Sequence, residues 1–222
     1  MSPDMLFNLL LKALGQTLQM VAVAGLIGAL IGLPIGVFLA TSGKGELFPA
    51  PVCNRIIGAI VNAARSTPFI ILVVAIIPFT RFITGTSIGT YAAIVPLTVA
   101  TIPFVARLAE AAIREVDKGL IEAARAMGAT PLQIVFKVLL AEAKSGLTLA
   151  LTLTLVSLVG YSAMVGAVGG GGLGDLGIRY GYQRFMPDVM LAVVVVLIVL
   201  VQAIQSAGDA LARRFDKRNR KT

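Results

Sequence analysis

Gly172, Gly174 and Gly177 formally match the dinucleotide fingerprint G-x-G-x-x-G. That chemistry needs the glycines to follow a β-strand and open the helix of a βαβ unit. Here they follow a long apolar run, so the match is rejected, and residues 166–181 are expected to form a flexible or tightly turned loop at a membrane rim. No G-x-x-x-x-G-K-[ST] phosphate loop occurs, so any ATP used with this chain binds another polypeptide. Acid–base catalysis fares no better. There is no histidine, and the apolar runs hold no aspartate or glutamate. A general acid or base must lie within hydrogen-bond reach of the reacting group, which argues strongly against an integral-membrane hydrolase. Cys53 is alone, which rules out an internal disulfide and a cysteine metal cluster. What remains is the chemistry of docking, and it is concentrated between Val116 and Lys144.

That stretch, VDKGLIEAARAMGATPLQIVFKVLLAEAK, has helical periodicity but carries Glu122, Arg125, Lys137 and Glu142 between two apolar runs. Asp117 is placed to cap a first helix, in which Leu120, Ala123, Ala124 and Met127 recur at i, i+3, i+4 and i+7. Gly128 suits the position that ends it. Thr130, Pro131 and Gln133 then spell a capping box with proline at N1, opening a second helix. The expectation is a helix–turn–helix elbow outside the membrane. Leu120, Ala124 and Met127 would enter a partner's groove as i, i+4, i+7 anchors. Ala123 allows close approach, Glu122 can pair with a basic rim residue, and Gly128 aims the second helix back at the membrane.

The elements that hold this elbow are membrane spans. The 222 residues are 57% hydrophobic and 14% charged, against roughly a quarter charged in soluble domains, and mean hydropathy is +0.91. About 20 apolar residues cross the hydrocarbon layer. Five runs of that length appear, at about 14–41, 56–80, 87–106, 146–168 and 189–207, with the elbow at about 107–144. The fold class is therefore all-α, a single polytopic membrane domain over residues 1–222. Gly28, Gly32 and Gly36 repeat every four residues along the first span, either as the ordinary glycine content of a membrane helix or as a stripe that lets a second helix approach closely. Pro96 and Pro103 are expected to kink the third. Arg65, inside the second apolar run, either lies near one membrane face with its guanidinium reaching outward or has a buried or pathway role. The fourth span bears Thr148, Thr152, Thr154, Ser157, Tyr161 and Ser162. Those hydroxyls either bond back to their own helix or face a translocation path, for which Tyr161, Ser162 and Met164 are the candidates.

The net charge of +8 collects in the gaps between apolar runs, which marks it as a topology signal and not a nucleic-acid surface. Five spans put the termini on opposite sides. With the N-terminus outside and the C-terminus inside, fifteen of the nineteen lysines and arginines are cytoplasmic, six of them around the elbow and six in the tail from Arg213 to Lys221. The positive-inside rule selects that orientation and puts the elbow in the cytoplasm. Residues 1–12 lack a basic region followed by a small-residue cleavage site, so a removed signal peptide is not expected.

Glu122-Ala123-Ala124 followed by Gly128 resembles the EAA loop of bacterial ABC importer permeases. The family pattern usually continues with Leu-Pro about a dozen residues later, where this chain has Leu140-Ala141. Arg65-Ser66-Thr67-Pro68-Phe69-Ile70, Ile77-Pro78-Phe79-Thr80-Arg81, Ala93-Ile94-Val95-Pro96-Leu97-Thr98 and Gly160-Tyr161-Ser162-Ala163-Met164 resemble, within that family, the methionine importers. The resemblance implies a homodimeric permease in the bacterial inner membrane that is not itself catalytic. It implies two ATPase subunits carrying ATP and Mg, docked on the elbows, and an extracytoplasmic binding protein delivering D- or L-methionine. No cofactor is expected on this chain. A permease for another amino acid or small polar solute, or a channel or scaffold without an ATPase, is the competing expectation.

Overall fold

The computed structural model describes residues 3–215, and its first helix, α1 (Pro3–Thr41), runs 39 residues. At 1.5 Å per residue that is about 58 Å, well beyond the thickness of the hydrocarbon layer. Its glycine stripe lies directly on α5 (Thr90–Arg114), the most extensive inter-helix contact among the described residues. A Cβ on Gly32 would stand 2.7 Å from the Ile102 carbonyl oxygen, and one on Gly36 would stand 2.6 Å from that of Ala106. Backbone meets backbone there, so only glycine fits. α5 passes unbroken through both Pro96 and Pro103, each buried.

The expected second span is not one helix. It divides into α2 (Pro51–Ser66), α3 (Phe69–Ala75) and α4 (Ile77–Thr84), with α3 bent 100° from α2. The cause is local. Proline disfavours helical geometry in the residue before it, and Thr67 is extended (ψ 124°) ahead of Pro68. Pro78 in the first turn of α4 marks the second break. Arg65 sits exposed in the last turn of α2, immediately before the bend.

After α5 come the elbow helices α6 (Lys118–Ala126) and α7 (Pro131–Gln133), a π-helical turn Ile134–Leu139, and α8 (Leu140–Glu142). These lead into α9 (Lys144–Ala167), the fourth span. The glycine-dense stretch is mostly not a loop, contrary to expectation. A short turn leads into α10 (Gly172–Leu176), a second π-helical turn Gly177–Tyr182, and then α11 (Pro187–Phe215). Gly169, Gly171 and Gly172 supply the positive φ angles of the turn. Gly174 lies so close to Ala163 that a Cβ would collide with its carbonyl oxygen, which folds α10 tightly back on α9.

Among the described residues, α1, α5, α9 and α11 are long and apolar enough to cross a membrane, and the bent pair α2–α3 is a fifth, broken candidate. Met20, Ala24, Phe69, Leu97, Leu158 and Val165 form a central core, so α1, α3, α5 and α9 share one packed centre. Of the expected basic tail, Arg213 and Arg214 end α11, while Lys217, Arg218, Arg220 and Lys221 lie outside the described residues.

Candidate functional site

The elbow is built from start and stop signals written locally in its sequence. Asp117 Oδ1 accepts from the Gly119 N–H at 2.7 Å and caps α6. At the far end Gly128 has φ +77°. Its N–H donates to the Arg125 carbonyl at 2.9 Å, and the Ala129 N–H donates to the Ala124 carbonyl at 3.1 Å. These paired bonds are a Schellman motif, which requires the left-handed residue that glycine supplies. Thr130 Oγ1 then accepts from the Gln133 N–H at 3.4 Å, and Gln133 Oε1 accepts from the Thr130 N–H at 2.9 Å. The capping box is complete, with Pro131 at N1.

The second half of the elbow does not stop at Leu140-Ala141. It continues through α8 to a single turn residue, Ala143, and on into α9. With no proline to remove an N–H, nothing breaks it there. Ile134, Val135 and Leu139 of the π-helical turn are buried with Ala40, Ile113, Ala124 and Ala143, which seats the elbow on the ends of α1, α5 and α9.

The residues expected to dock separate by face. Met127 is 81% and Leu120 44% exposed, Ala123 and Gly128 are exposed beside them, and Glu122 is exposed on the opposite flank of α6. Ala124 is not available as an anchor. It is 4% exposed and packs into its own bundle, because α6 turns that side toward Ile134 and Ile113. Leu120 and Met127 therefore stand as the apolar pair of the free face.

In α9 the hydroxyls turn inward on their own helix. Thr148, Thr152 and Thr154 each donate to the carbonyl four residues earlier at 2.8 Å, and buried Ser162 donates to Val159 O at 2.7 Å. Tyr161 stacks on Phe69 with ring centroids 4.5 Å apart, joining α9 to the broken α3. Met164 is half exposed.

Residues 32–221 match the family described as binding-protein-dependent transport system inner membrane component. The chain belongs to that family. Among relatives of this transport-system component, the probable D-methionine transport system permease protein MetI of Vibrio cholerae is 59% identical over 211 residues, spanning 95% of this chain and 94% of that one. The D-methionine transport system permease protein MetI of Escherichia coli K12 is 56% identical over 166 residues, 75% of this chain and 76% of that one. A solved chain of the MetNI methionine ABC transporter in an inward-facing conformation superposes with a TM-score of 0.94 at 54% identity, covering 98% of this chain and 100% of that chain.

Two features of this inner membrane component escape motif reading. Gln16 Oε1 accepts from the Gly172 N–H and Thr17 Oγ1 from the Leu173 N–H, both at 2.9 Å, so α1 caps α10 across 156 residues of sequence. Polar Gln16 and Thr17 inside an uncharged span were the signal. The other is Glu110, a buried carboxylate at the end of α5 gripped by Arg107 at 2.5 Å and Arg114 at 2.9 Å. Its signal was two arginines at i−3 and i+4, a spacing that brings side chains together on one helix face.

Proposed function

We propose that this chain is the permease subunit of an ATP-driven importer that moves methionine into the cytoplasm, with α6 as the coupling helix that docks on a separate ATPase subunit. The observation that carries the reading is the elbow. A doubly capped helix pair leaves Leu120 and Met127 exposed on a short helix, between two membrane-length helices of a binding-protein-dependent permease. Methionine as substrate is supported by relatives 56–59% identical that bear that name.

The remaining parts follow the same reading. The N-terminus lies outside and the C-terminus inside, supported by the fifteen-to-four partition of basic residues. The membrane is the bacterial inner membrane. Two copies of the chain surround the pathway, two ATPase subunits bind ATP and Mg below them, and an extracytoplasmic binding protein delivers the amino acid. Leu120 and Met127 fill the ATPase groove, Ala123 borders it, Glu122 stays available on the other flank of α6 for a basic rim residue, and Gly128 sets the angle at which force enters α9. ATP-driven closure of the ATPases displaces α6, and the π-helical turn and α8 carry that displacement into α9. Tyr161, Ser162 and Met164 on α9 are the candidate pathway positions. Ser162 contributes through helix packing, since its hydroxyl is already bonded to Val159.

Mild-detergent pull-down of the tagged chain from native membranes tests the assembly. An ATPase bearing a phosphate loop in equal stoichiometry is expected. Recovery of the chain alone, even after crosslinking, would establish a channel or scaffold instead. Uptake of labelled D- and L-methionine by the reconstituted complex then tests the substrate. Unchanged uptake after alanine replacement of Tyr161 and Met164 would remove both from the pathway.

A further inference from the structure

Lys118, Glu122 and Arg125 lie at i, i+4 and i+7 on α6 and so share one face. This flank is turned away from Leu120 and Met127. It closes a polar cavity of about 460 Å³ against the turn that follows α1 and the end of α5, with Lys44 and Glu46 on the turn and Arg114 on α5. We infer that this cavity binds a phosphate group, and that its resident ligand is the headgroup phosphate of an anionic phospholipid.

The arrangement of charge supports an anion. Four cations and two carboxylates line the cavity. Among the described residues, Lys44, Lys118 and Arg125 form no ion pair, although Glu46 and Glu122 share the space with them. Opposite charges that border one cavity without closing on each other leave room for a third group, and the cationic excess selects a negative one. Arg114 is already positioned. One guanidinium nitrogen is held by Glu110 Oε1 at 2.9 Å and by the Leu39 carbonyl at 3.3 Å, while the side chain stays 53% exposed. Its remaining N–H groups can donate to phosphate with little further loss of side-chain freedom.

Position supports a lipid. Residues 13–43 carry no charge, and Lys44 is the first cation after that run. The cavity therefore lies where the apolar run ends, at the level of the headgroups. Basic pockets at this level on the cytoplasmic side take anionic headgroups. The lipid source rests on the orientation proposed above, whereas the phosphate site does not. A phosphate held there bridges α6 to the turn after α1 and leaves the Leu120–Met127 face free.

The test uses the full chain in nanodiscs of phosphatidylcholine, with or without phosphatidylglycerol, and counts retained lipid by native mass spectrometry. One phosphatidylglycerol per chain is expected to remain bound. Lys44→Gln combined with Lys118→Gln is expected to weaken retention about a hundredfold, near tenfold for each charge-assisted bond. Arg55→Gln, an exposed cation on α2 outside the cavity, is expected to retain the lipid. Inorganic phosphate is titrated in parallel. Displacement of the lipid by millimolar phosphate keeps the phosphate site but overturns the lipid as its resident ligand. Equal retention by wild type and the double variant, with no phosphate binding by either, overturns the site. Methionine uptake by the wild-type complex is measured separately, so failure of the transport reading is not mistaken for failure of this one.

Discussion

Arg114 lies one turn beyond Glu110, bonds its carboxylate at 2.9 Å, and donates to the Leu39 carbonyl at 3.3 Å. One arginine thus fastens the last turn of α5 to the last turn of α1, three residues before the cap of the elbow. Arg107 grips the same carboxylate from the other side. Glu110 is the hub, since its side chain is 8% exposed while the arginines are 38% and 53% exposed. Glu110→Ala is expected to cost about 1–2 kcal/mol, because two half-exposed arginines lose their partner but can rehydrate. Arg114→Ala is expected to cost less, since Arg107 still neutralises Glu110. Thermal unfolding in detergent checks the order, and the reverse order would show that Glu110 is not the hub.

The glycine stripe gives a sharper contrast. Gly32→Ala places a methyl group 2.7 Å from the Ile102 carbonyl, so α1 and α5 must separate, at an expected cost above about 2 kcal/mol. Gly15, on the same helix, has nothing within 4 Å of its Cβ position. Gly15→Ala is expected to be neutral or to stabilise by about 0.5–1 kcal/mol through helix propensity. Equal melting temperatures for the two variants would refute close packing along the stripe.

At Gly128 the cost is conformational and not steric. Its φ is +77°, and no atom lies within 4 Å of its Cβ position. Gly128→Val is expected to cost about 1–2 kcal/mol in backbone strain and to leave the protein inserted in the membrane. ATP hydrolysis by the assembled complex should persist while uptake falls. Gly128→Asn, which tolerates the left-handed region better, should restore part of the uptake. Normal uptake by the valine variant would sink the coupling role of the turn.

Thr17 tests the long-range cap. Its hydroxyl is the partner of the buried Leu173 N–H. Thr17→Val preserves shape and orphans that donor, with an expected loss of about 1–3 kcal/mol. Thr17→Ser keeps the acceptor and should remain near wild type. Faster amide exchange at Leu173 in the valine variant, and not in the serine variant, is the expected signature.

Local signals were legible in the sequence, and distant partnerships were not. Asp117, Gly128 and the Thr130–Gln133 box act within a few residues, so spacing alone placed both ends of the turn. The fourth span was bounded closely because uncharged length defines it, whereas α1 begins at Pro3, eleven residues before the expected start, because its helix continues through the charged residues Asp4 and Lys12. The second was misread as continuous because its apolar run crosses Thr67-Pro68, and composition carries no information about a 100° bend. Ala124 was assigned to the free face because periodicity names a stripe without saying which partner it meets. The pairing of Gln16 and Thr17 with α10 could not be read from spacing, since 156 residues separate each donor from its acceptor.

The contact between Gly36 and Ala106 also has a consequence in time. Ala106 lies 70 positions after Gly36, and chains emerge at about 5–20 residues per second. During biogenesis α1 therefore waits in the bilayer for several seconds with its glycine groove open. Acyl chains occupy that groove first, since lipid is the surrounding solvent. Docking of α5 is then a displacement of lipid by protein backbone, and this step of assembly is a competition between the membrane and the chain's own third span.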